Sequence, residues 1–437
     1  MFEKEEKQLQ NLKQHYDDIP IPASIDEHIL KGIHRAKKKK RFSSVKWGSL
    51  AASLFIVLIL TSLRVSPTFA GYISNIPGLE KIVELVRFDK GLMSAIENDF
   101  YQEINVSQEH EGINLTINGA IVDEQKMVLF YTVESNRNIK SLSPDKIKLQ
   151  DENGKVIEKI GVSYGAIQDI RKGEPASDTL DFHFEESFPD SFILSVKLAG
   201  LGLDSTWEIP FTIDQTKYQG MKDEIILNET VSIENQKITF EKVTILPTRV
   251  AVHLKYDEAN TKQIFALEDL RLVDENGERW DGISNGVSAS LPSENERIIY
   301  LQSNYFKKPK ELYLEFSSVR ALDKDELEVV VDTATNGLLK SPKDGMLSSV
   351  EKRGHDLAFL LNSSHPSDEN FNYGLLSQEY KDQEGNVYRS TSSFSSDSPD
   401  GKQIGLVLEN LDFINPLTFT IVDYPSRITE SVRIKIK

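Results

Sequence analysis

The chain has no cysteine, so it has no thiolate nucleophile, no thiolate zinc site and no disulfide. Its chemistry must come from carboxylates, histidines and hydroxyls. The densest oxygen clusters are three short loops, Asp151-Glu-Asn-Gly154, Asp274-Glu-Asn-Gly277 and Asp382-Gln-Glu-Gly385. Carboxylate and amide oxygens are what a hard cation such as calcium takes, but these loops lack the alternating ligands and terminal glutamate of a calcium loop. Asn-Gly or Glu-Gly between strand-like runs is a hairpin signal, and turn chemistry accounts for the residues. The eight histidines (His15, His28, His34, His110, His183, His253, His355, His365) are scattered, with no pair at metal-ligand spacing. No Gly-x-Ser-x-Gly, phosphate-loop or dinucleotide pattern occurs, and carboxylates are spread too evenly to single out a catalytic pair. The residues predict a protein that is not an enzyme and uses no metal or cofactor. Two polar stretches, 362–370 and 390–401, read as solvated loops. Phe394, alone among serines, is the residue there suited to a ligand or wall contact.

Charge is placed unevenly along the 437 residues. Net charge is −17, yet residues 1–46 carry 11 Lys/Arg and 7 Asp/Glu, leaving 40 and 61 for the remainder. So acidic a remainder argues against nucleic acid as a partner, since that needs a basic face. A large region without disulfides fits a bacterial surface.

The basic and acidic parts meet at the apolar run Trp47–Leu63, which contains no charge between Lys46 and Arg64. Seventeen residues at helical rise span about 26 Å, the short end of what a bilayer core requires. Lys46 and Arg64 can snorkel and Trp47 can anchor at the interface, so 47–63 is expected to be a transmembrane helix in the lipid bilayer. A cleaved signal peptide is the alternative, with Thr68-Phe-Ala70 as its site. The 46-residue leader and Arg64 favour a retained anchor. The basic cluster predicts a cytoplasmic N-terminus and an extracellular C-terminal region.

Within the cytoplasmic segment, 1–46, a charged helix over 3–16 carries a sparse stripe of Leu9, Leu12 and Tyr16. Asp17-Asp-Ile-Pro-Ile-Pro22 breaks it. Ser24 and Glu27 form a capping box for a second helix, on which Ile25, Ile29 and Ile33 share one face. Some 45 residues cannot build a core alone, so these faces call for a partner, each other, or the membrane surface. A partner-binding helical hairpin and a basic topology tail both fit.

Outside, 64–104 predicts two juxtamembrane helices. One follows Pro77 with Leu79, Ile82, Val83 and Val86 on its face; the other runs from about Lys90 to Phe100. Too few basic residues lie on them for an interfacial role, which favours packing on protein. From about 105 the apolar period drops to 2, and a repeat emerges. The runs Met127–Val133 and Val250–Tyr256 stand 123 residues apart, as do Gly154 and Gly277; the next interval is 108 for both markers. Each copy should close on an alternating strand, Trp207–Ile213, Leu327–Val331 and Val432–Lys437, the last ending the chain without a tail or sorting signal. The expected fold class is mainly β, with a single N-terminal transmembrane helix, short juxtamembrane helices and three tandem immunoglobulin-like β-sandwiches at 105–215, 216–335 and 336–437.

Several motifs resemble a family of single-pass Gram-positive membrane proteins carrying the domain of unknown function 4179, often followed by 5643. They are Ile19-Pro20, Ile29-Leu-Lys-Gly-Ile33 before the basic cluster and span, Ile76-Pro-Gly-Leu79, Asp89-Lys-Gly91, Ala95-Ile-Glu-Asn98, Tyr101–Ser107, and Asp123 ahead of Met127–Val133. The first domain would cover about 10–135 and the second about 220–335. Some members resemble negative regulators of extracytoplasmic-function sigma factors. The resemblance implies that Leu9, Leu12, Tyr16, Ile25, Ile29 and Ile33 hold a sigma factor until an outside signal, a ligand or wall component, releases it. The zinc-binding His-Cys-Cys set of the better understood anti-sigma fold is missing, which leaves a helix-in-groove contact. A surface or adhesion module binding wall polymer or another protein is the competing reading.

Overall fold

Two short helices open the part of the chain that this computed structural model describes: residues 79–199, 205–283, 287–363, 365, 368 and 374–437. The expected transmembrane helix and cytoplasmic helices lie outside these residues. Helix α1 (Leu79–Val86) turns Leu79, Ile82 and Val86 inward at helical spacing. Helix α2 (Lys90–Glu97) starts at an N-cap, where Asp89 Oδ1 accepts the Leu92 N–H at 3.0 Å. It buries Leu92, Ala95 and Ile96. Both helices pack on protein. No helix among the described residues is long and apolar enough to cross a membrane.

The rest is strand, in three successive β units. In the first, one sheet runs β1 (Tyr101–His110), β2 (Ile113–Val122), β3 (Lys126–Ser135), β7 (Ala176–Phe184), β5 (Ile160–Tyr164). The other runs β6 (Ile167–Ile170), β4 (Ile139–Asp151), β8 (Ser191–Ala199), β9 (Thr206–Thr212). The second unit repeats the plan with β10 (Asp223–Ile233), β11 (Gln236–Ile245), β12 (Arg249–Tyr256), β17 (Glu296–Gln302) and β16 (Ala289–Ser290). Its other sheet runs β13 (Lys262–Leu267), β18 (Leu312–Asp323), β14 (Arg271–Asp274), β15 (Arg279–Trp280). The two sheets bury one core, with Phe240, Val252 and Leu254 on one side and Leu272, Trp280 and Phe316 on the other.

The third unit departs from that plan. It is one eight-stranded sheet: β20 (Gly337–Lys340), β19 (Glu328–Asp332), β26 (Leu417–Ile421), β23 (Leu376–Lys381), β24 (Val387–Ser398), β25 (Gly401–Leu408), β22 (Asp356–Leu361), β21 (Leu347–Arg353). Strand β24 pairs with β23 as far as Arg389 and with β25 from Ser390 onward. It thereby carries the sheet from one layer to the other around a core of Val331, Phe359, Tyr380, Leu406 and Phe419. Residues 390–401, expected as a loop, are therefore mostly strand. Phe394 lies opposite Gly405, where a Cβ would stand 2.2 Å from the Phe394 Cζ. The ring fills the space the glycine leaves, and that explains a lone aromatic among serines.

The closing strands also differ from expectation. Leu327–Val331 does not close the second unit: β19 pairs with β26 of the third. The last strand, β27 (Arg427–Lys435), does not close the third: it pairs along β18 of the second. The two strands have exchanged places, so the third unit sits between β18 and β27 of the second. An alternating pattern specifies which face of a strand is buried but not which sheet receives it.

The three acidic loops are turns with one geometry. In each, the first aspartate's Oδ1 accepts the N–H groups two and four residues on: Asn153 and Lys155 at 2.9 Å, Asn276 and Glu278 at 2.9 and 2.7 Å, Glu384 and Asn386 at 3.0 and 2.9 Å. Gly154, Gly277 and Gly385 take φ of +79°, +80° and +85°, the left-handed conformation in which a Cβ is costly.

The exchange makes a distinctive prediction. Ile434 belongs to the core that contains Trp280. Ile434→Ala should therefore cost about 2–5 kcal/mol in the second unit. Urea unfolding followed by Trp280 fluorescence, in a Trp47→Phe, Trp207→Phe background, should shift to lower midpoint. A tandem arrangement would leave that transition in place.

Candidate functional site

The side chains expected to bind a partner (Leu9, Leu12, Tyr16, Ile25, Ile29, Ile33) and to anchor the span (Lys46, Trp47, Arg64) lie outside the described residues. What the structure assembles instead is a cleft, which no sequence pattern singles out, and a polar joint that takes in the motif residues Asp89-Lys-Gly91 and Asp123.

The cleft, of about 1150 Å³, lies where the second and third units meet. One wall is β13 and the loop after it, and another is formed by Leu327 and Thr420–Val422 of the third unit. Leu291 lines it while 66% exposed. Beside it sits an ion cluster that exists only because β27 lies on β18. Arg427 meets Glu268 through Nε and Nη2 at 2.6 and 2.8 Å, and Asp368 through Nη1 and Nη2 at 3.1 and 2.5 Å. Arg320 joins Glu268 at 3.4 Å to Asp423 at 3.0 Å. Burial alone would raise the Glu268 carboxyl. Hydrogen bonds from Arg427 and Ser318, with the charges of Arg427 and Arg320, outweigh it and hold the group below the ordinary glutamate value. Burial keeps Asp423 raised despite Arg320. These five residues, at positions 268, 320, 368, 423 and 427, come from distant segments except for the neighbours Asp423 and Arg427, so no local motif could reveal them. Among the described residues no group of three or more His, Asp or Glu is arranged to hold a metal.

The polar joint ties the first unit and the helices to the second. Asp123 is fully buried. Its Oδ1 accepts the N–H groups of Gln125 and Lys126, each at 2.9 Å, and its Oδ2 accepts the Thr248 N–H at 3.2 Å and the Thr248 hydroxyl. Next to it, Arg249 Nη2 donates to the Gln125 carbonyl at 3.2 Å and to His183 Nδ1 at 2.6 Å, with its guanidinium 4.0 Å over the Tyr300 ring. Because Nδ1 accepts, the His183 proton sits on Nε2, 3.1 Å from the Tyr300 hydroxyl. Burial first, then the Arg249 charge, pushes His183 down to about 4. Lys126 pairs with Asp181 at 2.9 Å in the interior. On the helix side, the Lys90 N–H donates to Gln302 Oε1 at 3.1 Å, and Gln302 Nε2 donates to the Phe88 carbonyl at 3.3 Å. Lys90 Nζ reaches the Arg279 carbonyl at 2.7 Å, and a Cβ on Gly91 would stand 2.5 Å from the Ser303 nitrogen. Asp89-Lys-Gly91 and Asp123, quoted above as sequence motifs, are thus brought together as one clamp.

Those motifs belong to the part of the chain that known families recognise. Residues 38–135 match the domain of unknown function DUF4179. Residues 222–341 match the family of unknown function DUF5643. The anti-sigma-V factor RsiV of Bacillus subtilis (strain 168) is 32% identical over 83 residues, which is 19% of this chain and 28% of that protein. The chain thus spans little more than a quarter of the curated relative it matches. The crystal structure of a conserved domain protein from Bacillus anthracis is 15% identical, with a TM-score of 0.37 over 51% of this chain and 79% of its own.

The joint predicts a pH effect of definite sign. With His183 held near 4 when folded and 6.5 when unfolded, the unfolded chain takes up a proton first as pH falls. Stability contributed by the neutral ring is complete above 6.5, declines between 6.5 and about 4, and levels off below. His183→Gln keeps an acceptor for Arg249 without the titration. Urea midpoints measured from pH 7 to 4 should fall less steeply in the variant than in the parent.

Proposed function

We propose that the chain is a single-pass membrane regulator whose cytoplasmic segment restrains an extracytoplasmic-function sigma factor. In this reading 47–63 spans the cell membrane, Lys46, Trp47 and Arg64 sit at its interfaces, 1–46 faces the cytoplasm, and the acidic β units face outward. The first two β units are immunoglobulin-like sandwiches, a description supported by two sheets closing on one core in the second unit. The role is regulatory rather than catalytic. The observation that carries the reading is the similarity to the anti-sigma-V factor RsiV, together with the DUF4179 match. The sequence pattern of a capping box followed by Ile25, Ile29 and Ile33 at helical spacing supports it further, since a topology tail needs neither the cap nor the stripe.

The test uses the full chain, tagged and solubilised from its membrane. It should co-purify with a sigma factor, and Ile29→Asp with Ile33→Asp should abolish that while leaving the amount of chain in the membrane unchanged. Retention of the sigma factor by the double variant, or co-purification with none, would overturn the assignment. If deleting residues 3–34 leaves the cellular phenotype intact, the surface-module reading replaces it.

A further inference from the structure

Independently of what the N-terminal segment holds, we propose that Lys126 and Asp181 join as a side-chain amide, a covalent cross-link between β3 and β7. Lys126 Nζ stands 2.9 Å from Asp181 Oδ2, and the two side chains are only 2% and 10% exposed. Strand register sets the pair. Val128 lies opposite Asp181, and Lys126, two residues before Val128, projects from the same face. Diagonal neighbours of this kind are within reach of a long side chain. Among the described residues Lys126 has no other ion-pair partner, and the buried Asp181 Oδ1 has no hydrogen-bond partner.

The chemistry balances without a co-reactant. A proton passes from the Lys126 ammonium to the Asp181 carboxylate. The freed Nζ lone pair attacks Cγ, a second Nζ proton moves to the departing oxygen, and the Cγ–O bond breaks. One C–N bond forms, one C–O bond is lost and one water leaves; nothing is oxidised or reduced. Oriented groups reach effective concentrations of about 10⁵–10⁸ M when the reacting atoms lie about 3–3.5 Å apart. Asp181 Cγ is one bond from the oxygen that Nζ already meets. Burial supplies the gain, because two charges in a poorly hydrated interior carry a desolvation cost and the amide removes both. The neighbouring groups tolerate that loss of charge. Asp89, at the start of α2, is near enough for both charges to act on it, and burial holds its carboxyl above the ordinary aspartate value against the pull of Lys126. A carboxyl shifted toward its neutral form depends less on an ammonium beside it. On the other side, Arg249 and Lys126 are the two cations that act on His183, and the amide removes one of them.

The cross-link lies where the first unit is seated on the second. The Lys126 N–H is held by Asp123, and His183, two residues past Asp181, meets Arg249. In a chain with no cysteine, it closes the segment 126–181 as a disulfide would. Intact mass of the purified full chain, followed by peptide mapping, tests the proposal. The chain should be lighter by one water than its sequence requires, and a digest should yield a branched peptide joining Lys126 to Asp181. Lys126→Arg and Asp181→Ala should each show the full mass of their own sequence. The parent chain decides the first readout, so the result does not depend on how well a variant folds. Three results would each overturn the proposal: a parent chain at full sequence mass, a digest without the branched peptide, or a water still missing from Lys126→Arg.

Discussion

The Asp123 carboxylate is the contact on which the described structure depends. It is fully buried, and its hydrogen bonds cross the turn before β3 or reach Thr248 in the second unit. Removing either set would strand a buried acceptor, whose desolvation costs about 1–3 kcal/mol, more when charged. The carboxylate therefore fixes both the turn that starts β3 and the seat of the second unit on the first. Arg249, His183 and Tyr300 extend the same joint outward, and Lys126 with Asp181 extends it inward. A polar seam of this kind is directional in a way that an apolar interface is not. It sets one orientation between the units, because any other leaves its groups unpaired.

The second constraint is the exchange of β19 and β27. It threads the chain twice between the second and third units, at 324–327 and 422–426, so the third unit is a contiguous insertion in the second, whose sheet gains β27 only after the chain returns from it. The ion cluster around Arg427 follows from that threading. Its charges sit in a poorly hydrated place, where such pairs contribute orientation more than net stability. The cleft owes its walls to the same event: β13 comes from one unit, and Leu327, just before β19, and Thr420–Val422, at the end of β26, come from the other.

How much of this was legible in the sequence follows from what sequence carries. Period-2 runs, the two helices and the three turns were readable because local chemistry dictates them; Asp151, Asp274 and Asp382 satisfy neighbours only two and four residues away. The 123-residue interval survives into structure, down to Asn105 and Asn228 in equivalent bulges. Strand partnership was not readable. Val329 and Val331 have the same alternation as Ile428 and Ile434, and only the assembled charges of Arg320, Arg427, Glu268, Asp368 and Asp423 distinguish one placement from the other. Phe394 was legible as unusual but not as the cover of Gly405, because its partner is a residue with no side chain. The cleft and the Arg249–His183–Tyr300 joint are built from distant segments and leave no local trace.

Strand β17 connects these parts. Ile299, Tyr300 and Leu301 line the cleft, and Gln302 and Ser303, which follow directly, grip α2 through Lys90 and Gly91. The helices α1 and α2 and the second unit form one cooperative body. Native-state hydrogen exchange on the full chain tests it most directly. The amides of Ala95 to Glu97 in α2 and those of Tyr300 to Gln302 in β17 should share one opening free energy and one denaturant dependence. Exchange of the helix through a separate, low-energy opening while β17 stays protected would contradict it.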